Sequence, residues 1–301
     1  MRTAYLASTA YVLGEQAHDY RDAASFQAVC KQHAMPDFAS VFGWGTYWRT
    51  TRTVGELMIE SVAKTLADSG LQGRDIDALV LCSSNFESGQ VADYLPLLRE
   101  LQLDRAYPLG VTWGDCTMLL AGLEIARAQI LAGLDNVLVV SANRIEDETF
   151  RFQHYALFSD GAASCLVTSG RRSGFEMLGG QAGSDAGLVD GPKEDDARLF
   201  SQVHEQLMHR HQINTADLEQ VLCSNVFLPV LKIKEGRLGI GGAQLYVDNV
   251  ARVGHCFSAD SLINLCDYQA ATQRNHGGLL MLTANAGGLR CQALLRRLGD
   301  A

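Results

Sequence analysis

The chain has 301 residues, 47% of them hydrophobic and 20% charged, enough to bury one large core or two modest ones and leaving little for disorder. Twenty-five Lys and Arg against 34 Asp and Glu give a formal net charge of −9, a field that repels phosphate chains and argues against nucleic acid as a partner. Twenty-nine Gly, only five Pro and no Pro/Ser-rich stretch exclude a linker-joined architecture and point to tight turns between packed elements.

At the N-terminus, Met1-Arg2-Thr3-Ala4-Tyr5-Leu6 carries one positive charge, and Ser8 and Thr9 interrupt its apolar run, which falls short of a secretory signal. No apolar run approaches the roughly 18 residues of a membrane helix, so a cytoplasmic location is expected, with no membrane partner. Eight cysteines, at 30, 82, 116, 165, 223, 256, 266 and 291, include no C-x-x-C pair, so neither a zinc ribbon nor a redox pair is indicated and the thiols are expected to stay reduced. Residues 56 to 69 place Leu57, Ile59, Val62 and Leu66 near helical spacing and stop at Gly70. Residues 78 to 82 form a short apolar run that suits a strand buried on both faces. A second helix is predicted over 116–132, closed by Gly133, and a second buried strand over 137–140. The same order returns over 200–211, 221–223, 258–273 and 279–282, after the break at Ser169 to Gly174.

This recurrence is visible in the residues themselves. Asp75-Ile-Asp-Ala-Leu-Val-Leu-Cys-Ser-Ser-Asn85 returns as Asp217-Leu-Glu-Gln-Val-Leu-Cys-Ser-Asn225, and Asn136-Val-Leu-Val-Val-Ser-Ala-Asn143 as Gly278-Leu-Leu-Met-Leu-Thr-Ala-Asn285. Matching Cys82 with Cys223, Asn143 with Asn285 and Gly114-Asp115-Cys116 with Gly254-His255-Cys256 gives offsets of 141, 142 and 140. The reading is an α/β protein of two duplicated halves, 1–170 and 171–301, related by a pseudo-twofold axis. Such an axis brings the starts of the Cys116 and Ser258 helices together. A thiol at a helix start meets unpaired N–H groups and the positive end of the dipole, which singles out Cys116, opposite His255 of the sister repeat.

The segment Gly114-Asp-Cys-Thr-Met-Leu-Leu-Ala-Gly-Leu-Glu-Ile-Ala-Arg-Ala resembles the nucleophile segment of the β-ketoacyl-acyl-carrier-protein synthase III family. Phe158-Ser-Asp-Gly-Ala-Ala-Ser-Cys-Leu-Val is similar to its F-G-D-G-A-G hairpin, Gly254-His-Cys-Phe-Ser-Ala-Asp-Ser to its G-N-T-S-A-A-S segment, and Gly287-Gly288 to its C-terminal glycine loop. The resemblance spans nearly the whole chain, with a shorter stretch between Gly174 and Phe200. It implies the thiolase fold, layered α-β-α-β-α, and makes Cys116 the acyl-accepting nucleophile. Two positions depart from the family. Its H-Q-A-N reads Ser224-Asn225-Val226-Phe227 here, and its catalytic Asn reads His255, so the implied triad becomes Cys116, Ser224 and His255.

That change bears on the chemistry. Decarboxylative condensation needs neutral donors on an enolate oxygen, and losing one typically costs roughly 10²–10³ in rate. His255 is instead a competent general base near neutral pH. The expected reaction is therefore acyl transfer: an acyl group from an acyl-CoA or acyl-carrier-protein thioester loads on Cys116 and passes to a second substrate, in specialised biosynthesis. The N–H of Cys116 and one from Gly287 or Gly288 would form the oxyanion hole. No metal and no tightly bound cofactor is expected; CoA or a phosphopantetheinyl carrier enters as substrate. Two alternatives stand beside this one: a decarboxylative 3-oxoacyl synthase, or a non-catalytic subunit pairing with an active homologue.

Lys232, Lys234 and Arg237 lie where the family borders its carrier-docking surface, which suits an acidic carrier. Phe86 lies where the family sends a loop across a dimer interface into the neighbour's acyl pocket, which implies a homodimer or a heterodimer with a homologue. Trp44, Trp48, Arg49 and Arg52 resemble in kind the residues lining the family's pantetheine entrance. His209 and His211 read as a solvated face, Phe158 to Gly161 as a hairpin turn, and His154 as a loop residue preceding that turn.

Overall fold

The computed structural model describes residues 2–85, 94–171, 174–188, 196–272 and 277–299. Strand β1 (Tyr5–Leu13) is followed by β2 (Gln16–Asp19), α1 (Phe26–Gln32), α2 (Ala39–Phe42) and β3 (Thr46–Arg49). β2 and β3 pair antiparallel as a separate ribbon, and Tyr20, Phe26, Trp44, Tyr47, Phe152 and Phe227 form a satellite core beside it. Trp44 is thus buried in aromatic packing.

Helix α3 (Val54–Ser69) starts at a reciprocal cap: Thr53 Oγ1 accepts from the Glu56 N–H and Glu56 Oε2 accepts from the Thr53 N–H. Gly70, at φ +69°, ends it. There follow β4 (Ala78–Cys82), α4 (Leu95–Glu100), β5 (Tyr107–Val111), α5 (Met118–Ala132), β6 (Asn136–Asn143) and β7 (Gly161–Thr168). The second half runs β8 (Phe175–Ser184), α6 (Asp196–His211), β9 (Leu218–Leu222), α7 (Leu228–Gly236), α8 (Asp248–Arg252), α9 (Asp260–Ala271), β10 (Leu279–Ala286) and β11 (Leu289–Arg297).

Among the described residues the main sheet has nine strands in the order β5-β4-β6-β7-β1-β8-β11-β10-β9. Apart from the edge strand β5, the order is a palindrome about the β1–β8 junction, where only Tyr5 and Leu6 pair with Glu176 and Phe175. Helix α5 packs on strands of both half-sheets and α9 beside it, while α3 covers the outer face of the first half and α6 that of the second. The largest core cluster joins Val80, Leu120, Val139, Leu262, Leu280 and Ala293 across this central helical layer. This is the α-β-α-β-α stacking of the thiolase fold. No helix among the described residues is long and apolar enough to cross a membrane.

The duplication is present, but its register differs from the one the residue matches suggest. β4 and β9 are both five residues long and 140 positions apart, and β6 and β10 both eight residues long and 143 apart. Side-chain facing agrees: Cys82 and Leu222 both point to the central helices, whereas Cys223 points outward. Pairing Cys82 with Cys223 would turn the strand over, because strand faces alternate with period two. The 3-10 turns ahead of α5 and α9, Asp115–Thr117 and Phe257–Ala259, are 142 apart, and their first residues share positive φ (42° and 53°). Cys116 therefore corresponds to Ser258, and the Gly-Asp-Cys to Gly-His-Cys match is two residues out of step.

Candidate active site

Cys116 sits in the middle of the 3-10 turn that feeds α5. Thr117 Oγ1 donates to Gly114 O (2.7 Å) and the Thr117 N–H to the same carbonyl (2.8 Å), while Met118 and Leu119 anchor the helix start in the core. The turn packs against β10 and β11. The Cys116 side chain is thereby held at a partly exposed position, with Sγ 3.3 Å from His255 Nε2.

His255 is fixed from three sides. Gly254, at φ +75°, turns the chain where a Cβ would lie 2.8 Å from Leu157 O. This lets the His255 N–H donate to Leu157 O (2.7 Å) and the Ser159 N–H donate to His255 O (3.0 Å). Ser159 Oγ donates to Val253 O (2.5 Å) and accepts from the Trp48 N–H (3.0 Å). The ring, 1% exposed, lies between Phe158 at 4.8 Å and Phe257 at 5.9 Å. On the third side Asp260, the first residue of α9, accepts a hydrogen bond from His255 Nδ1. The carboxylate also accepts the N–H groups of Cys256 and Asn225, both at 2.6 Å. With its proton at Nδ1, the imidazole presents Nε2 to the sulfur. Burial pulls the imidazole's pKa down, but the charges of Asp260 and Cys116 outweigh it and push it up to about 10.

The side chains brought together are thus Cys116, His255 and Asp260. On sequence grounds Asp260 carries no role; the signal was an acid five residues after a histidine, at the head of a helix. Tyr155 also lies near the thiol: burial pushes its phenol up to about 12, and the charges of Cys116 and Asp115 add to the shift. Burial raises the other thiols, namely Cys30, Cys82, Cys165, Cys223, Cys256, Cys266 and Cys291.

Ser224 is buried, and its Oγ has no hydrogen-bond partner among the described residues; no bond joins it to Cys116 or His255. Gly287 and Gly288 form the β10–β11 turn, with Gly288 at φ +72° and its carbonyl accepting from the Asp185 N–H (2.8 Å). Lys232 is exposed on α7, Arg237 follows the helix, and Lys234 lies over the Phe200 ring at 5.2 Å. Phe86 lies outside the described residues. His154 stacks on His33 at 4.5 Å. Among the described residues no three His, Cys, Asp or Glu side chains converge as metal ligands.

The hairpin expected at Phe158 to Gly161 is corrected. Asp160 is buried and ion-pairs with Arg151 (2.7 Å), accepting also from the N–H groups of Thr50 (2.9 Å) and Ile145 (2.8 Å). Its carboxylate ties loops together where a turn aspartate would cap its own backbone. The segment then pairs in parallel with the His255 loop, so it braces the site.

A family model described as 3-oxoacyl-[acyl-carrier-protein (ACP)] synthase III matches residues 113–186, the stretch that includes the Cys116 turn. A β-ketoacyl-[acyl-carrier-protein] synthase III of Nitratidesulfovibrio vulgaris (strain DP4) is 23% identical over 285 residues, covering 82% of this chain and 84% of its own. In fold the chain is similar to ChlB3, solved as an acyltransferase (TM-score 0.83, 16% identity, 99% of both chains). It is equally similar to 3-oxoacyl-[acyl-carrier-protein] synthase III from Aquifex aeolicus VF5 (TM-score 0.82, 17% identity, 98% of this chain and 99% of the other). In matched segment, sequence relatives and architecture, the chain is similar to β-ketoacyl-acyl-carrier-protein synthase III proteins and shares their thiolase fold.

Proposed function

We propose that the chain is an acyltransferase in which Cys116, His255 and Asp260 act as a nucleophile, base and orienter. The observation that carries this is the 3.3 Å approach of Cys116 Sγ to an imidazole backed by a buried carboxylate, the arrangement that activates a thiol for attack. The Cys116 thiolate attacks the carbonyl carbon of an acyl thioester. The bond from that carbon to the carrier sulfur breaks, and the departing sulfur takes the proton held on His255 Nε2. Acylation removes the charge at Cys116, one of the two that raise the imidazole, so His255 becomes the base for an incoming hydroxyl, amine or thiol. The acceptor attacks, its proton passes to Nε2, and Cys116 leaves as a thiolate beside the imidazolium.

The oxyanion would sit on the N–H of Cys116 and one from Gly287 or Gly288; packing of the Cys116 turn on the β10–β11 hairpin supports this. Ser224, with its hydroxyl unengaged among the described residues, is the donor left for a substrate oxygen. The acyl source is an acyl carrier protein, which the names of the relatives favour, or coenzyme A, with Lys232 and Arg237 as exposed cations for an acidic carrier. An imidazole bonded to the thiol and backed by a buried carboxylate favours transfer over condensation. The test is release of free thiol from a panel of acyl-CoA and acyl-carrier thioesters. Acceleration by an added acceptor supports transfer, whereas release of carbon dioxide from a malonyl carrier would assign condensation instead.

A further inference from the structure

Behind the triad lies a file of buried asparagines that nothing in the chemistry above uses. Asn225 Nδ2 donates to Gly254 O (2.9 Å) and reaches Asp260 Oδ1 (3.4 Å), while its backbone N–H donates to Asp260 Oδ2. Its Oδ1 accepts from Asn264 Nδ2 (3.0 Å), which also donates to Cys223 O (2.8 Å). Asn264 Oδ1 in turn accepts from Asn249 Nδ2 (2.8 Å). All three are buried to 2% exposure or less.

The direction of the file is set by its ends. Gly254 O, Cys223 O and the Asp260 carboxylate can only accept, so Asn225 and Asn264 must both turn their NH₂ groups toward them. A flipped Asn225 would set its oxygen against two acceptors, and a buried polar clash of that kind is costly. Asn225 and Asn264 are therefore aimed donor-first toward the triad, while Asn249 Nδ2 divides between Asn264 Oδ1 and Asp267 Oδ2 (2.7 Å), and each bond in the file polarises the next.

We infer that Asn225, held by Asn264, is the positioning residue that fixes both the Asp260 carboxylate and the Gly254 carbonyl, and so sets the pose of His255 toward Cys116. Asn225 touches Asp260 by main chain and side chain, and the residue before His255 by side chain; it holds the triad acid and the loop of the triad base at once. This rests on the triad reading of the previous subsection. Asn225 adjoins Ser224, so the segment where the family carries its histidine here supplies the support of a different histidine.

The test is a pH titration of the His255 ring by NMR on histidine-labelled full-length protein, with its signal assigned by His255→Gln. The charged groups that reach this ring are Asp260 and Cys116. With Asn225→Ala the Asp260 carboxylate loses its aim, and the titration midpoint should fall by about one pH unit, a tenfold change in proton affinity. Asn264→Ser, which leaves all direct contacts to Asp260 in place, should move it the same way by less. Folded Asn225→Ala with a wild-type midpoint would overturn the proposal, even if its melting temperature falls, since a purely structural role moves stability alone. Should Asn225→Ala fail to fold, an unmoved midpoint in Asn264→Ser would overturn it equally. The titration needs no thioester, so failure of acyl transfer with a shifted midpoint would refute the enzyme reading and leave the positioning role standing.

Discussion

Asp260 holds His255 Nδ1 with one carboxylate oxygen while its other oxygen takes the N–H of Cys256. The first residue of α9 thus fixes a ring that lies five positions earlier in the chain. The intervening 3-10 turn, entered through Phe257 at φ +53°, folds the segment back on itself so that acid and base share one loop. The thiol arrives from the other half of the molecule, on a turn of the same construction. The site is therefore made where the two repeated helix starts meet, and its rigidity is that of the central layer.

Replacing Asp260 by Asn keeps the shape and removes the charge. The His255 midpoint should then fall from its raised position, because burial alone lowers it. Acyl transfer should drop by about 10²–10⁴-fold, the usual worth of an oriented general base. Steady-state thiol release by Asp260→Asn and His255→Ala, set beside wild type, checks this, and rates within threefold of wild type would exclude the role.

The same shift predicts a pH dependence of stability. His255 is raised from 6.5 in the unfolded chain to about 10 in the folded one. Its contribution is fully present below about 6.5 and declines as pH rises, until it is lost on passing about 10. Urea midpoints measured between pH 6 and 10.5 should fall across that window in wild type and fall less steeply in His255→Gln.

Two buried ion pairs should behave alike although only one borders the site. Arg151 pairs with Asp160, and Arg290 meets Glu235 through two bonds of 2.8 Å. Arg151→Met and Arg290→Met each strand a buried carboxylate, at a cost of about 3–5 kcal/mol in denaturant unfolding. Only Arg151→Met should also slow thiol release, because Phe158 and Ser159 brace the His255 loop.

Gly254→Ala places a Cβ 2.8 Å from Leu157 O and 2.9 Å from Ser159 Oγ at φ +75°. Strain of this kind costs about 1–3 kcal/mol, and relieving it moves His255. A lowered melting temperature together with slower turnover is the expected result; a lowered melting temperature with intact turnover would show that the loop relaxes without displacing the ring.

Much of this architecture was legible in the residues. The apolar run at 78–82 coincides with β4, the stop at Gly70 ends α3, and the repeat announced a duplicated α/β fold. Its register was not legible, because Cys82 and Cys223 are chemically alike while strand faces are decided by which layer each strand packs on. Cys116 and His255 were set opposite each other by the repeat, but their close approach depends on turns with positive φ at Asp115 and Phe257, residue types that give no warning of it. Asp260 was hidden because an acid at a helix start normally caps its own helix; here its carboxylate turns back to the Cys256 N–H and orients a histidine instead. Asp160 misled for the complementary reason, since Asp-Gly marks turns unless a buried arginine claims the carboxylate.

The central claim is that Cys116 is the acyl acceptor. Intact-mass spectrometry of the protein with acyl thioesters, followed by peptide mapping, tests it most directly. The account predicts one acyl group, on Cys116, absent from Cys116→Ala and accumulating when no acceptor is supplied. An adduct that survives Cys116→Ala, or no adduct with any thioester that the protein demonstrably turns over, would contradict it.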